Sequence, residues 1–309
     1  MGKRHLNIIL MNEYNNLSVL PFYGNENEQN ARKWWVYGRI YPLFCGKALL
    51  PFQFSFENPT LYSNPSSCTA RLYKSDGTEV GRLQELEEVL SIQKIDNKFN
   101  VIFQSLGAVG SSYLNYEGQY YIKLDFFYMQ THEVFCSEVF TLVMDLSPYV
   151  KITWWDTEDL ITDDGIVKYN TPLGQYKNFV YLQAEIAKPE YVFEDETEDR
   201  DGYSFPIKQI SKKKYRFSYI ASEYMLDVMR FIRMADFIEI TYNNHLFKPN
   251  SFLITPEWVS EGDVATVNAE FETDTVIKKL GVGYVRPSGG DYNEDYGPEG
   301  ERDFSPSSN

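Results

Sequence analysis

Carboxylates crowd one short stretch of the chain, FEDETEDRDG at residues 193–202, in which Asp195, Glu196, Glu198 and Asp199 are near neighbours. Clustered carboxylate oxygens are what a hard cation such as Ca²⁺ requires. Laid on the calcium-loop pattern, Asp199, Asp201 and Gly202 fall in register, but Thr197 takes the first ligand position and Lys208 the place of the bidentate Glu. The match fails at both ends, and the stretch reads as a solvated, self-repelling loop (194–201) between two strands. ITDDGIV, residues 161–167, reads as a turn at Asp164-Gly165 in preference to half of a catalytic carboxylate pair. His5, His132 and His245 have no Cys or second His at ligand spacing, and no GxSxG, HExxH, phosphate loop or dinucleotide fingerprint occurs. No catalytic residue, cofactor or metal is assigned from the sequence.

The basic counterpart is SKKKYRF, with Lys212, Lys213, Lys214 and Arg216 just downstream of the acidic stretch. Tyr215 and Phe217 interleave with these cations, as in single-strand nucleic-acid binders. With 44 acidic against 29 basic residues and a formal charge of −15, however, the chain opposes the counterion displacement that binding to phosphate needs. The expectation is that the basic segment meets the acidic one, either within a hairpin or on the next subunit, where matched charge fixes register. Trp154-Trp155 and the many tyrosines could form a sugar-stacking face, although core burial is the more frequent role of such residues.

One segment departs from the pattern around it. SEYMLDVMRFIRMADF, residues 222–237, predicts a helix over 222–235 with Ser222 as N-cap and one narrow charged stripe of Glu223, Asp227, Arg230 and Arg233. The rest of its circumference, including Met225, Val228, Met229, Phe231 and Ile232, is apolar, more than a surface helix needs to face its own core. Such a helix is covered either by a neighbouring subunit or by two layers of its own chain. These five residues, with Lys212, Lys213, Lys214, Arg216, Asp195, Glu196, Glu198 and Asp199, are the candidate subunit-interface residues.

The elements that must position these groups read as strands. Aromatics make up 16% of 309 residues, with 24 Tyr and 21 Phe, a balance suited to half-buried sheets. GQYYIKLDFF puts Tyr120, Ile122, Leu124 and Phe126 on one face; KYRFSYI and DVATVNAEFE alternate in the same way. Gly118-x-Tyr120 has the form of the end of an immunoglobulin-type tyrosine corner, without its usual Asp and Cys. The expected organisation is mainly β: an extended arm (1–32), a β-sandwich, immunoglobulin-like domain (33–148), a second β-rich domain (149–284) carrying the helix, and a flexible acidic tail (285–309). An odd set of cysteines, Cys45, Cys68 and Cys136, suggests free thiols made in a reducing cytoplasm, and no leader or membrane span is expected.

The segments GYSFPIKQISKKKYRFSYIASEYMLDVMRFIRMADFIEITY and PEWVSEGDVATVNAEFETDTVIKK resemble virion tail proteins of Bacteroides-infecting phages and are most similar to the ring proteins of crAss-like phages. The resemblance implies a non-enzymatic structural subunit in the multi-ring tail barrel below the portal, assembled as a homo-oligomeric ring, a dodecamer, that contacts other tail rings or portal-proximal proteins. It implies location in the virion, assembly in the host cytoplasm, and neither specific nucleic-acid binding nor membrane contact. A surplus of carboxylate on a channel wall would keep passing DNA from sticking. The alternative is a glycan- or receptor-binding β-sandwich module of a tail or adhesin, with a carboxylate-based hydrolase behind it.

Overall fold

In a computed structural model, the described residues are 14–24, 42–46, 48–57, 67–95, 98–104, 116–127, 132–162, 165–200, 202–258 and 264–279. The chain divides into two compact units: Met1–Glu190 with Lys214–Thr273, and Tyr191–Lys213 with Asp274–Asn309.

The first unit is a sandwich-like, mainly β body. Its smaller sheet orders Tyr14–Asn16, Phe52–Glu57, Lys98–Phe103 and Leu90–Ile95. Its larger sheet runs Phe22–Tyr23, His132–Ser137, Gly118–Phe127, Phe140–Leu142, Phe44–Cys45, Asn178–Leu182, Val150–Trp155, Phe237–Tyr242 and His245–Phe247, with Ser67–Lys74 and Glu79–Arg82 branching from Gly118–Phe127. Period-two alternation supplies the two inner faces. Tyr120, Ile122, Leu124 and Phe126 are buried as their spacing predicts, and Phe52, Phe54 and Phe56 face them from the smaller sheet. Phe54 and Phe56 approach Phe135 with centroids 5.1 and 4.8 Å apart, and Phe56 lies 5.8 Å from Phe126, within the range favourable for aromatic pairs.

Pro148 is not a break in this sheet. Phe44–Cys45 pairs in parallel with Phe140–Leu142 and antiparallel with Asn178–Leu182, so strands from before and after the expected boundary at 148/149 share one ladder and one core. The division of the molecule falls instead at 190, 213 and 273. The expected N-terminal arm is also partly built in. Tyr14–Asn16 pairs with the smaller sheet and Phe22–Tyr23 with the larger one, and Leu17, Val19, Leu20, Phe22 and Tyr23 are buried. The Asn16 carboxamide closes this turn by accepting from the Phe22 amide at 2.6 Å and donating to the Phe22 carbonyl at 3.0 Å. The rest of that arm, residues 1–13 and 25–32, and the tail 285–309 lie outside the described residues.

Local chemistry sets the turns. Gly77 takes φ +90°, with the Thr78 amide donating to the Asp76 carboxylate at 2.8 Å, in the loop of residues 75–78 that joins Ser67–Lys74 to Glu79–Arg82. The two-residue primed turn is found at Asn243-Asn244, where both φ values are positive and Tyr242 faces His245. The tyrosine corner is present: the Tyr120 hydroxyl donates to the Tyr116 carbonyl at 3.1 Å. A Cβ at Gly118 would stand 3.2 Å from the Tyr120 ring, so this position stays glycine to let the ring lie across the backbone.

The predicted helix forms as Glu223–Met229 and continues as a 3-10 turn, Arg230–Met234. Ser222 holds the N-cap position with extended backbone, but its hydroxyl makes no capping bond. Glu223, Asp227, Arg230 and Arg233 form the exposed stripe as expected.

Candidate interaction surface

The segment is not left uncovered. Met225, Leu226, Val228, Met229 and Ile232 are buried in the main core with Phe217, Tyr219, Ala265 and Phe271, and the Tyr219 hydroxyl points at the Met229 sulfur, 3.6 Å away. The parts of the long strands Tyr203–Ser222 and Val264–Lys279 that lie in the first unit, Lys214–Ser222 and Val264–Thr273, contribute this inner face through residues Phe217, Tyr219, Val267, Ala269 and Phe271. Met225, Val228, Met229 and Ile232 are therefore core residues of the protomer and not a surface for a second copy. Phe231 is half-buried against the same core, and with Tyr224, Asp227, Arg230, Leu17 and Pro21 it borders a hollow of about 310 Å³. The sequence was right about the apolar circumference. It could not show that sheet lies over it.

The charged candidates sit where strand pairing predicts. The acidic stretch is not a loop: Glu190–Arg200 is a strand, followed by the long strand Tyr203–Ser222 and a turn at Gly202 with φ +81°. In the second unit, Lys212 meets Glu194 at 3.3 Å, Lys208 meets Glu196 at 3.3 Å, Lys213 meets Asp274 at 3.0 Å, and the Gln209 amide donates to Asp195 at 3.2 Å. In the first unit, Lys214 meets Glu270 at 2.7 Å, and Arg216 meets Glu190 at 2.6 Å and Glu270 at 3.5 Å. Lys212 and Arg216 thus meet acids of Glu190–Arg200 as the hairpin arrangement expects, whereas Lys213 and Lys214 meet Asp274 and Glu270 on the other neighbouring strand, Val264–Lys279. Lys214, followed by the other contacts from Arg216, holds the Glu270 carboxyl below its ordinary range. Exposed pairs of this kind add little stability each, about 0–1 kcal/mol, but they fix which residues face one another. Glu198 and Asp199 lie further along the same strand, and Asp199 is exposed.

What the sequence reading passed over is the apolar content of this second unit. It holds segments of three strands that come in the order Glu190–Arg200, Tyr203–Ser222, Val264–Lys279, namely their residues 191–200, 203–213 and 274–279. Phe193 is 74% exposed, and Tyr191, Tyr203, Val276 and Ile277 are all more than half exposed. Phe193, Val276, Ile210, Asp195, Gln209 and Lys278 border a hollow of about 370 Å³ on this ribbon. The signal was present as Tyr191 and Phe193 alternating with Val192 and Glu194, but the following carboxylates dominate the stretch. Exposed apolar side chains of this size, with Phe193 and Val276 meeting at one hollow, mark an interaction surface.

The remaining groups do not assemble into a site. Among the described residues no three His, Cys, Asp or Glu side chains converge as a metal-binding set. His132 is exposed and packs near Phe127, and His245 lies edge-on to Phe247 at 4.3 Å. Trp154 is fully buried and so forms no sugar platform, while Trp155 stacks on Phe237 at 5.1 Å beneath the Lys177 ammonium. Cys45, Cys68 and Cys136 are free, and burial pushes the Cys45 and Cys68 thiols up to about 12. No helix among the described residues is long and apolar enough to cross a membrane. No protein-family model matches the chain, and no curated protein matches it significantly.

Proposed function

We propose that the chain is a non-enzymatic structural subunit of a phage virion, one protomer of a closed homo-oligomeric ring of twelve copies in the tail barrel below the portal. The observation that carries this reading is the ribbon of the second unit, where Tyr191, Phe193, Tyr203, Val276 and Ile277 stay exposed on strands whose charged groups already have partners. A surface of this kind is completed by another protein, and copies of the same chain are the simplest source. The resemblance of residues 202–280 to phage tail ring proteins supplies the biological setting, and the charge of −15 suits a wall past which DNA moves without adhering. Other tail rings or portal-proximal proteins are its further partners.

Mass photometry of the purified chain, alone and with portal or neighbouring ring proteins, tests this. The expected result is a closed oligomer that Phe193→Asp disperses into folded protomers. A persistent monomer in every mixture, retained on immobilised glycan, would replace this reading with a receptor-binding module.

A further inference from the structure

The outer side of the larger sheet carries two cations that have no acid. Along Asn178–Leu182, Val150–Trp155 and Phe237–Tyr242, the side chains of Val180, Ile152, Trp154 and Ile240 turn into the core. Period two therefore sends Phe179 and Tyr181, Lys151 and Trp155, and Phe237 and Glu239 to the opposite side. There the Lys151 ammonium lies 4.4 Å from the centre of the Phe179 ring and 5.6 Å from that of Tyr181, and the Lys177 ammonium lies 3.8 Å from that of Trp155. A ring face attracts a cation, yet each ammonium keeps three N–H donors for an anion. Neither group forms an ion pair among the described residues, whereas Lys168, Lys208, Lys212, Lys213 and Lys214 each do.

Burial, more than any neighbouring charge, pushes the Lys151 ammonium below the ordinary lysine range; Glu239 pulls it back and Lys177 adds repulsion. A half-buried cation in this position lacks the carboxylate that would offset its lost hydration. Exposed apolar groups extend the patch, with Phe237 stacked on Trp155 and Leu246 opposite Thr241 in the next strand. This face calls for an acidic partner with apolar groups of its own.

The ribbon offers that chemistry. Alternation along Glu190–Arg200 puts Tyr191, Phe193, Asp195 and Asp199 on one side, away from Glu194 and Glu196, whose carboxylates meet Lys212 and Lys208. Asp195 accepts from the Gln209 amide and Asp199 is exposed, and neither is in an ion pair among the described residues. One patch thus combines aromatic rings with two unpaired ammonium groups, and the other combines aromatic rings with two unpaired carboxylates.

We propose that the face around Lys151 and Lys177 of one copy receives the ribbon of the next copy, with Asp195 and Asp199 meeting the two ammonium groups. The inference rests on the ring reading and deepens it, since a head-to-tail interface that closes by rotation needs two unlike, complementary patches. Either patch facing its own copy would set like charges together, which disfavours a two-fold contact.

The test mixes unlabelled and isotope-labelled copies of the full chain and treats them with a water-soluble carbodiimide, which joins carboxylates to amines in direct contact. Mass spectrometry should find Asp195 or Asp199 linked to Lys151 or Lys177 across the two labels. An oligomer in mass photometry without these links overturns the pairing and leaves the ring reading intact; monomers without them overturn both. Links confined to copies of one label overturn the exchange between copies. Independently, Lys151→Glu with Lys177→Glu should raise the concentration for half-assembly about tenfold in low salt and less in high salt, with urea unfolding confirming that the protomer folds. Asp195→Lys with Asp199→Lys should do the same, and the chain carrying all four changes should recover. Failure to recover while each pair alone weakens assembly overturns the charge matching. A folded lysine variant that assembles normally but no longer retards oligothymidylate, as the wild type does, would give this face to a phosphate backbone and overturn the proposal.

Discussion

Truncating Met229 and truncating Phe193 to alanine should have opposite consequences. Met229 is 1% exposed, belongs to the core cluster that holds Phe217, Tyr219 and Phe271, and has the Tyr219 hydroxyl 3.6 Å from its sulfur. Met229→Ala removes that packing and leaves a cavity beneath the sheet, a change that costs about 2–5 kcal/mol in a closely packed core. Phe193 is 74% exposed, so Phe193→Ala removes little from the protomer and should stay within about 0.5 kcal/mol. Urea unfolding followed by tryptophan fluorescence reads the difference. A loss near 3 kcal/mol shifts the midpoint by roughly 1 M or more for ordinary denaturant slopes, whereas the Phe193 variant should superimpose on the wild type. Mass photometry supplies the second axis, where Phe193→Ala weakens the oligomer and Met229→Ala acts only through folding. Were Met229→Ala to leave the midpoint unchanged and abolish assembly, the helix would be an intersubunit contact after all, and its placement in the core would be refuted.

Three further outcomes are expected. Tyr120→Phe removes the 3.1 Å bond to the Tyr116 carbonyl and should cost about 1 kcal/mol in the same unfolding assay; no change would mean the corner does not stabilise the fold. Lys214 and Arg216 hold the Glu270 carboxyl below the ordinary glutamate range, so its contribution is present above that range and fades as pH falls through the lower folded value. Stability measured from pH 6 to 3 should therefore drop less steeply for Glu270→Gln than for the wild type, and parallel curves would refute the coupling. With the Cys45 and Cys68 thiols pushed up to about 12 by burial, native protein at pH 8 should resist iodoacetamide at both positions by mass spectrometry until denatured, and rapid native alkylation would contradict that burial.

Much of the strand content was legible because its signal is local. The alternation in GQYYIKLDFF, KYRFSYI and DVATVNAEFE names the buried face directly, and the buried residues fall where period two puts them except Tyr121, which is buried on the opposite face with Cys136 and Val139. The acidic and basic runs were legible as partners for a similar reason, since adjacent segments of opposite charge make a register for a hairpin. The strand nature of Glu190–Arg200 was not, because carboxylates have low strand propensity and the lysines opposite them lie more than ten residues away in sequence. The continuity of the large sheet past Pro148 was hidden as well. It depends on Phe44–Cys45, a two-residue strand that joins segments distant in the chain.

By itself the sequence determined the class of structure, the face each regular strand buries, and the broad apolar arc, broken by one charged stripe, of the segment from Met225 to Ile232. Those follow from the stereochemistry of neighbouring residues. Only the tertiary structure decided what lies against that circumference and which apolar groups are left for another protein. The helix is buried in the same core as Phe217, Tyr219, Val267 and Phe271, with the Tyr219 hydroxyl against Met229, while Tyr191, Phe193 and Val276 are exposed. Burial is settled by which distant segments arrive, and a pattern of residue types records the need for cover without naming its source.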